Sequence, residues 1–123
     1  MYVVDQVLKD INANNLCRKS CILVIGGGAV LDAVGYAASI AHRGIPIIRM
    51  PSTTLAQCDS GCGVKNAVNY FGKKNFVGVF DPPFGVVNDI RLLSSLDNRH
   101  WCSGLSEAVK VALIKDETFL KEI

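Results

Sequence analysis

Charge of one sign is what this chain lacks. Thirteen Lys and Arg stand against eleven Asp and Glu over 123 residues, a formal +2. That balance is too even for a protein that finds nucleic acid by charge alone. A long apolar run is missing as well. The uncharged stretch from Cys21 to Leu31 falls far short of the ~20 residues that cross a bilayer, so neither nucleic acid nor a membrane is expected as partner. Residues 1–11 carry Asp5, Lys9 and Asp10 where an export signal holds its apolar segment, so no export is expected. Internal repeats and low-complexity segments are absent. What remains is half hydrophobic and one-fifth charged, a composition that builds a packed core and excludes intrinsic disorder.

Tight Cys-x2-Cys pairs are also absent. The five cysteines, at 17, 21, 58, 62 and 102, give Cys-x3-Cys twice, and His100 sits near Cys102. A structural zinc site normally shows closer pairs on a loop-rich scaffold. An odd count without an export signal reads instead as reduced thiols in a cytoplasmic protein.

Strand-like and helix-like segments alternate. Val4, Val7, Leu8 and Ile11 recur at helical spacing and predict a helix over 2–14. Cys21–Ile25 is a continuous apolar, β-branched run that stops at Gly26-Gly27-Gly28, as a strand covered on both faces would. A helix over 30–42 follows, rich in small residues (Ala33, Gly35, Ala37, Ala38, Ala41) that let it lie close to a sheet. Arg43-Gly44 ends it with a cation and a left-handed glycine. Ile45–Met50 reads as the next strand, which completes a βαβ unit with a right-handed crossover. The stretch 51–75 is polar and without apolar period, and predicts a long functional loop. Two short strands, 76–80 and 85–88, flank Asp81-Pro82-Pro83. A short helix over 89–96 precedes a final amphipathic helix capped near Asn98, with Leu105, Val109, Ala112 and Leu113 on one face.

Three places carry chemistry. The glycine turn at 26–28, after a strand and before a helix, lets a phosphate approach free backbone amides at the positive helix end. It is not G-x-G-x-x-G, so the usual dinucleotide fingerprint is unmet, and a plain strand-to-helix turn is the equal alternative. Asp32, in the first turn, either compensates the helix dipole or contacts a ribose or nicotinamide. In the polar stretch, Asp59, Lys65, Asn69, Lys73, Lys74 and Asn75 suit a polyol phosphate, against the commoner reading of a solvated loop. Glu107 and Lys110, at i and i+3, share a helix face. They form either a surface ion pair or a carboxylate metal ligand with a lysine beside it. His42 and His100 fit no H-x-x-x-H or H-x-x-E pattern.

Taken together, the ordered segments Gly26-Gly-Gly-Ala-Val-Leu-Asp32, Arg43-Gly-Ile-Pro46, Pro51-Ser-Thr-Thr-Leu55, Asp59-Ser60 with Lys65, Val68-Asn69, Gly72-Lys-Lys-Asn75, Pro82-Pro83 and Gly104-Leu-Ser-Glu-Ala-Val-Lys110 resemble the sugar-phosphate cyclases, 3-dehydroquinate synthase among them. The resemblance covers roughly residues 20–118. It implies an α/β fold with a Rossmann-like NAD-binding domain (1–96, partial) and the first helix of an α-helical C-terminal domain (97–123). It also implies NAD and a divalent metal, zinc or cobalt, and a soluble homodimer when the protein is full length. The reaction it implies is a carbon–oxygen lyase chemistry: transient oxidation of a sugar phosphate, phosphate elimination, return of the hydride and aldol closure.

By that resemblance Gly28, Ala29, Val30, Leu31, Asp32, Ser52, Thr53, Lys65, Lys74 and Leu92, Leu93, Ser94 and Ser95 contact NAD. Asp59, Asn75 and Lys110 grip the substrate, and Glu107 is a metal ligand. Two histidines that complete the metal site in the family have no counterpart here, so the chain reads as a fragment that is inactive alone. Leu31, Val64 and Asn66 depart from the dehydroquinate synthases, and Val64-Lys65-Asn66 leans towards cyclases resembling 2-epi-5-epi-valiolone synthase, which use sedoheptulose 7-phosphate. A non-catalytic nucleotide-binding module and an iron-dependent alcohol dehydrogenase are the readings from other classes. Retained Asp59, Lys65, Asn75, Glu107 and Lys110 argue against the first, and the Gly104–Lys110 segment against the second.

Overall fold

Residues 1–122 are described in the computed structural model of the chain. Ile123, the last residue of the expected second domain, lies outside the described residues. The chain runs α1 (Tyr2–Ala13), β1 (Ile22–Gly26), α2 (Gly28–Ile40), β2 (Ile47–Pro51), a π-helical turn (Ala56–Ser60), β3 (Lys65–Tyr70), β4 (Lys73–Phe80), β5 (Gly85–Val86), a 3₁₀ turn (Ile90–Leu93), α3 (Asn98–Ser103), α4 (Leu105–Lys115) and α5 (Glu117–Glu122). Strands β1, β2 and β5 form a parallel sheet in the order β1-β2-β5, with Val24 opposite Arg49. Strands β3 and β4 form a separate antiparallel ribbon. The fold is α/β, as expected.

Helix α2 is the centre of the packing. Ala33, Tyr36 and Ala37 join Val4 of α1 and Val68 of β3; Ala38 joins Ile11, Ile45 and Ile47; and Leu31 joins Val24 and Ala56. One helix can touch α1, the sheet and the ribbon because its side chains are small. At Gly35 the fit is closest: an added Cβ would overlap the Asn66 Oδ1 of β3.

The structure corrects four expectations. The β1 run is covered on one face only: Val24 is buried against α2, while Leu23 and Ile25 are about half exposed. Helix α2 starts two residues earlier than predicted and closes through a 3₁₀ turn, Ala41–Arg43, in which His42 and Arg43, as well as Gly44, take positive φ. The polar stretch 51–75 is not one loop, because it contains all of β3 and the start of β4. The final amphipathic helix is α3, α4 and α5, of which α4 buries only Ala112; Leu105, Val109 and Leu113 stay exposed. All five cysteines are free and exposed. No helix among the described residues is long and apolar enough to cross a membrane.

Candidate functional site

The site begins where β1 ends. Gly27 caps α2 in an extended conformation without any side-chain hydrogen bond to the helix. The Val30 and Leu31 amides donate to the Gly27 carbonyl at 3.0 and 3.1 Å. The amides of Gly28 and Ala29, earlier in the first turn, have no intrahelical acceptor by position. Two of the glycines are there for space. A Cβ on Gly27 would lie 3.0 Å from Thr53 Cγ2, and one on Gly28 would lie 3.0 Å from Ser60 Oγ. That Ser60 hydroxyl is buried and has no hydrogen-bond partner among the described residues. An uncapped positive helix end with bare amides and an orphaned hydroxyl beside it fits a phosphate anion.

This turn opens on a cleft of about 540 Å³ walled by Gly28, Ala29 and Asp32 of α2, Asp59 of the π-helical turn, and Lys74 and Asn75 of β4. An adjoining cleft of about 670 Å³ shares Asp32, Asp59 and Asn75 and adds Lys65. A β-bulge aims the β4 residues. Tyr70 pairs with Lys73 and Val68 with Val77, so residues 74–76 oppose Asn69 alone. Asn75 takes φ 51°, and its amide donates to Asn69 Oδ1 at 2.9 Å. Bulges re-aim side chains in this way beside binding sites.

Burial pushes the Asp32 carboxyl above the usual carboxylate range; Arg49 pulls it down, and Asp59 adds to the rise. Asp59 also acts electrostatically on Lys110 of α4, where the Glu107 carboxylate in contact with the ammonium holds Lys110 above the ordinary lysine range. The Glu107 side chain is one-fifth exposed. Helix α4 sits against the π-helical turn, and Gly104 permits this: a Cβ there would overlap the backbone of Thr54 and Leu55.

The expected site residues therefore fall into groups. Gly28, Ala29, Asp32, Asp59, Lys65, Lys74 and Asn75 meet on the two clefts. Ser52 and Thr53 stand beside the glycine turn: the Ser52 amide donates to the Gly26 carbonyl at 2.9 Å, and Thr53 Oγ1 accepts from Ala56 N at 3.2 Å. Glu107 and Lys110 lie off the cleft walls, linked to them through Asp59. Val30 is half exposed, whereas Leu31 and Leu93 are core side chains, so any ligand contact at those two positions is through backbone. Leu92–Ser95 lie at and just after the 3₁₀ turn, also off both walls. Gln57 ties this region to the π-helical turn by donating to the Asp89 and Pro51 carbonyls, each at 3.0 Å.

Among the described residues no three His, Cys, Asp or Glu side chains come together as a metal-holding group. Glu107 is a single carboxylate already paired with Lys110, and these residues alone do not fit a tightly bound zinc ion. Sequence reasoning missed Arg49, a fully buried cation inside the otherwise apolar β2. Its signal was a charge in a strand flanked by Ile47, Ile48 and Met50.

The family model described as 3-dehydroquinate synthase N-terminal matches residues 1–103. The chain belongs to this family. Two relatives of the 3-dehydroquinate synthase group are a 2-epi-5-epi-valiolone synthase of Streptomyces albus, 42% identical over 90% of this chain and 27% of its own length, and a 3-dehydroquinate synthase of Coxiella burnetii, 39% identical over 97% of this chain and 33% of its own. Among solved structures, ValA, the 2-epi-5-epi-valiolone synthase of Streptomyces hygroscopicus subsp. jinggangensis with NAD⁺ and Zn²⁺ bound, superposes with a TM-score of 0.92 at 38% identity, covering 95% of this chain and 33% of that one. A 2-deoxy-scyllo-inosose synthase complexed with carbaglucose-6-phosphate, NAD⁺ and Co²⁺ superposes with a TM-score of 0.87 at 37% identity, over 92% and 31%. The chain spans about a third of the length of these proteins.

Proposed function

We propose that this chain forms the NAD-binding part of a sugar-phosphate cyclase of the 3-dehydroquinate synthase type, which converts 3-deoxy-arabino-heptulosonate 7-phosphate to 3-dehydroquinate. The observation that carries this reading is the uncapped, glycine-lined start of α2, opening on a cleft that gathers Asp32, Asp59, Lys74 and Asn75. The Gly28 and Ala29 amides hold the dinucleotide phosphates. Asp32, Ser52, Thr53, Lys65 and Lys74 hold its sugars and nicotinamide, with Val30, Leu31 and Leu92–Ser95 contributing backbone. NAD, when bound, supplies a reversible hydride acceptor.

Asp59 and Asn75 accept and donate hydrogen bonds to substrate hydroxyls, and Lys110 places a point charge for a carboxylate or phosphate. Glu107 contributes one hard oxygen to a divalent metal, zinc or cobalt, whose further ligands lie outside this chain. Residues 1–96 are assigned to the nucleotide domain and 97–123 to the start of a helical domain. The working protein is a cytoplasmic homodimer.

A second reading, cyclisation of sedoheptulose 7-phosphate, is favoured by Val64-Lys65-Asn66 and by the likeness to the valiolone synthases. Supplying a longer protein that contains this chain with NAD, zinc and each sugar phosphate in turn separates the two. The expected result is NAD-dependent phosphate release with 3-deoxy-arabino-heptulosonate 7-phosphate. Turnover of sedoheptulose 7-phosphate alone would select the second reading, and turnover of neither would reject both. The 123-residue chain by itself is expected to release no phosphate from either.

A further inference from the structure

Arg49 is the one charged residue among the described residues that is fully buried. Its Nη1 donates to the carbonyls of Ser60 at 3.1 Å, Gly61 at 3.2 Å and Gly63 at 2.6 Å. Its Nη2 donates to Asn66 Oδ1 at 2.6 Å, and Nε is buried without a partner. A sealed guanidinium usually takes a carboxylate in contact, yet here every acceptor is neutral. Asp32 and Asp81 answer the charge only at longer range.

The acceptors have one thing in common. All lie on the 60–66 segment, which leaves Asp59 at one end and carries Lys65 near the other. Asn66 is itself fixed: its Nδ2 donates to the Asp81 carbonyl at 3.1 Å, and its Oδ1 lies over Gly35, where any side chain would overlap it.

We propose that Arg49 is a positioning residue whose guanidinium, with Asn66, holds the 60–66 segment so that Asp59 and Lys65 stand on the cleft walls opposite Asp32. The proposal rests on the reading of that cleft as the nucleotide site. Within Val64-Lys65-Asn66, Asn66 then holds Arg49 and the Asp81 carbonyl, and Lys65 is the charged member on the cleft wall. Asp32 is faced by Arg49 from β2 and Asp59 from the π-helical turn, and shares its clefts with Lys65 of β3, Lys74 of β4 and Met1, the amino-terminal residue ahead of α1. Removing the Arg49 charge takes away the downward pull on the Asp32 carboxyl and leaves burial and Asp59, which both raise it.

The test uses Arg49→Gln and Arg49→Lys with three readouts: the Asp32 carboxyl titration by ¹³C NMR, amide exchange along the chain, and NAD affinity measured well below the melting temperature. Arg49→Gln is expected to move the Asp32 midpoint upward, to raise exchange at 59–66 while α1 stays protected, and to weaken NAD roughly tenfold, the loss of about one charged hydrogen bond. Arg49→Lys keeps the charge and loses the fork, so it is expected to leave the Asp32 midpoint near wild type while still loosening 59–66. An unchanged midpoint and unchanged 59–66 exchange in Arg49→Gln, with only a lower melting temperature, would overturn the proposal. Should Arg49→Gln fail to fold, wild-type exchange at 59–66 in Arg49→Lys overturns it instead. A wild-type chain that binds no NAD while titration and exchange respond as stated would reject the cofactor reading and leave the positioning role standing.

Discussion

At the scale of single residues, the site depends on a few places where one atom more does not fit. Gly35 faces an amide that cannot yield, because Asn66 is held by Arg49 and by the Asp81 carbonyl. Gly35→Ala is expected to destabilise the chain by about 1–3 kcal/mol, the usual cost of overpacking a tight core, read as a lower denaturant midpoint. Asp32 behaves differently. Its folded pKa is raised, so the folded state holds a proton that the unfolded state has released, and stability falls as pH climbs above the ordinary aspartate range. Asp32→Asn is therefore expected to melt above wild type at pH 7, with the advantage fading as pH drops through about 4 to about 3, where both states of wild type are mostly protonated. A constant difference across that range would contradict the assignment. Most of these residues were legible: Asp32, Asp59, Lys65, Lys74 and Asn75 stand out as polar groups in a patterned chain. Arg49 was not. A single charge in a short strand carries no period, and its role appears only when the fold brings residues 60–66 around it.

At the scale of elements, Gly104 is the clearest joint. It lets the α3–α4 junction rest on the Thr54–Leu55 backbone, and through that contact Lys110 comes within electrostatic reach of Asp59. Main chain cannot move aside as a flexible side chain can. Gly104→Ala is expected to unseat α4, with faster amide exchange in 105–115 and little change in α1; wild-type exchange there would contradict the contact. Helix α1 was readable from its apolar period, α2 from its small residues behind the glycine turn, and the parallel strands from their short apolar runs. The β3–β4 ribbon was readable only in part: the predicted strand 76–80 lies within β4, but β3 and the start of β4 fell inside the stretch expected to be a loop. Most of its side chains face solvent, and the inward ones on β3 are Asn66 and Val68, so no apolar alternation marks it. Its turn uses Phe71 and Gly72, both at positive φ, a pairing without the usual Asn-Gly signal.

At the scale of the whole molecule, apolar surface stands open on two elements. Leu23 and Ile25 on the open face of the sheet, and Leu113 and Ile114 on α4, are half exposed or more, and the chain spans about a third of the relatives it matches. The apolar run of β1 suggested a strand covered on both faces, and only one face is covered by the described residues. In the proposed reading the nucleotide end of the site is assembled from the start of α2 and the cleft beside it, whereas the metal end draws on Glu107. The most direct test is a titration of NAD into the ¹⁵N-labelled chain, followed by amide resonance. Gly27, Gly28 and Ala29 are expected to shift furthest, with Asp32 and Asp59 next, all along one saturation curve. Saturable shifts centred elsewhere, or none at these amides up to millimolar NAD, would contradict it.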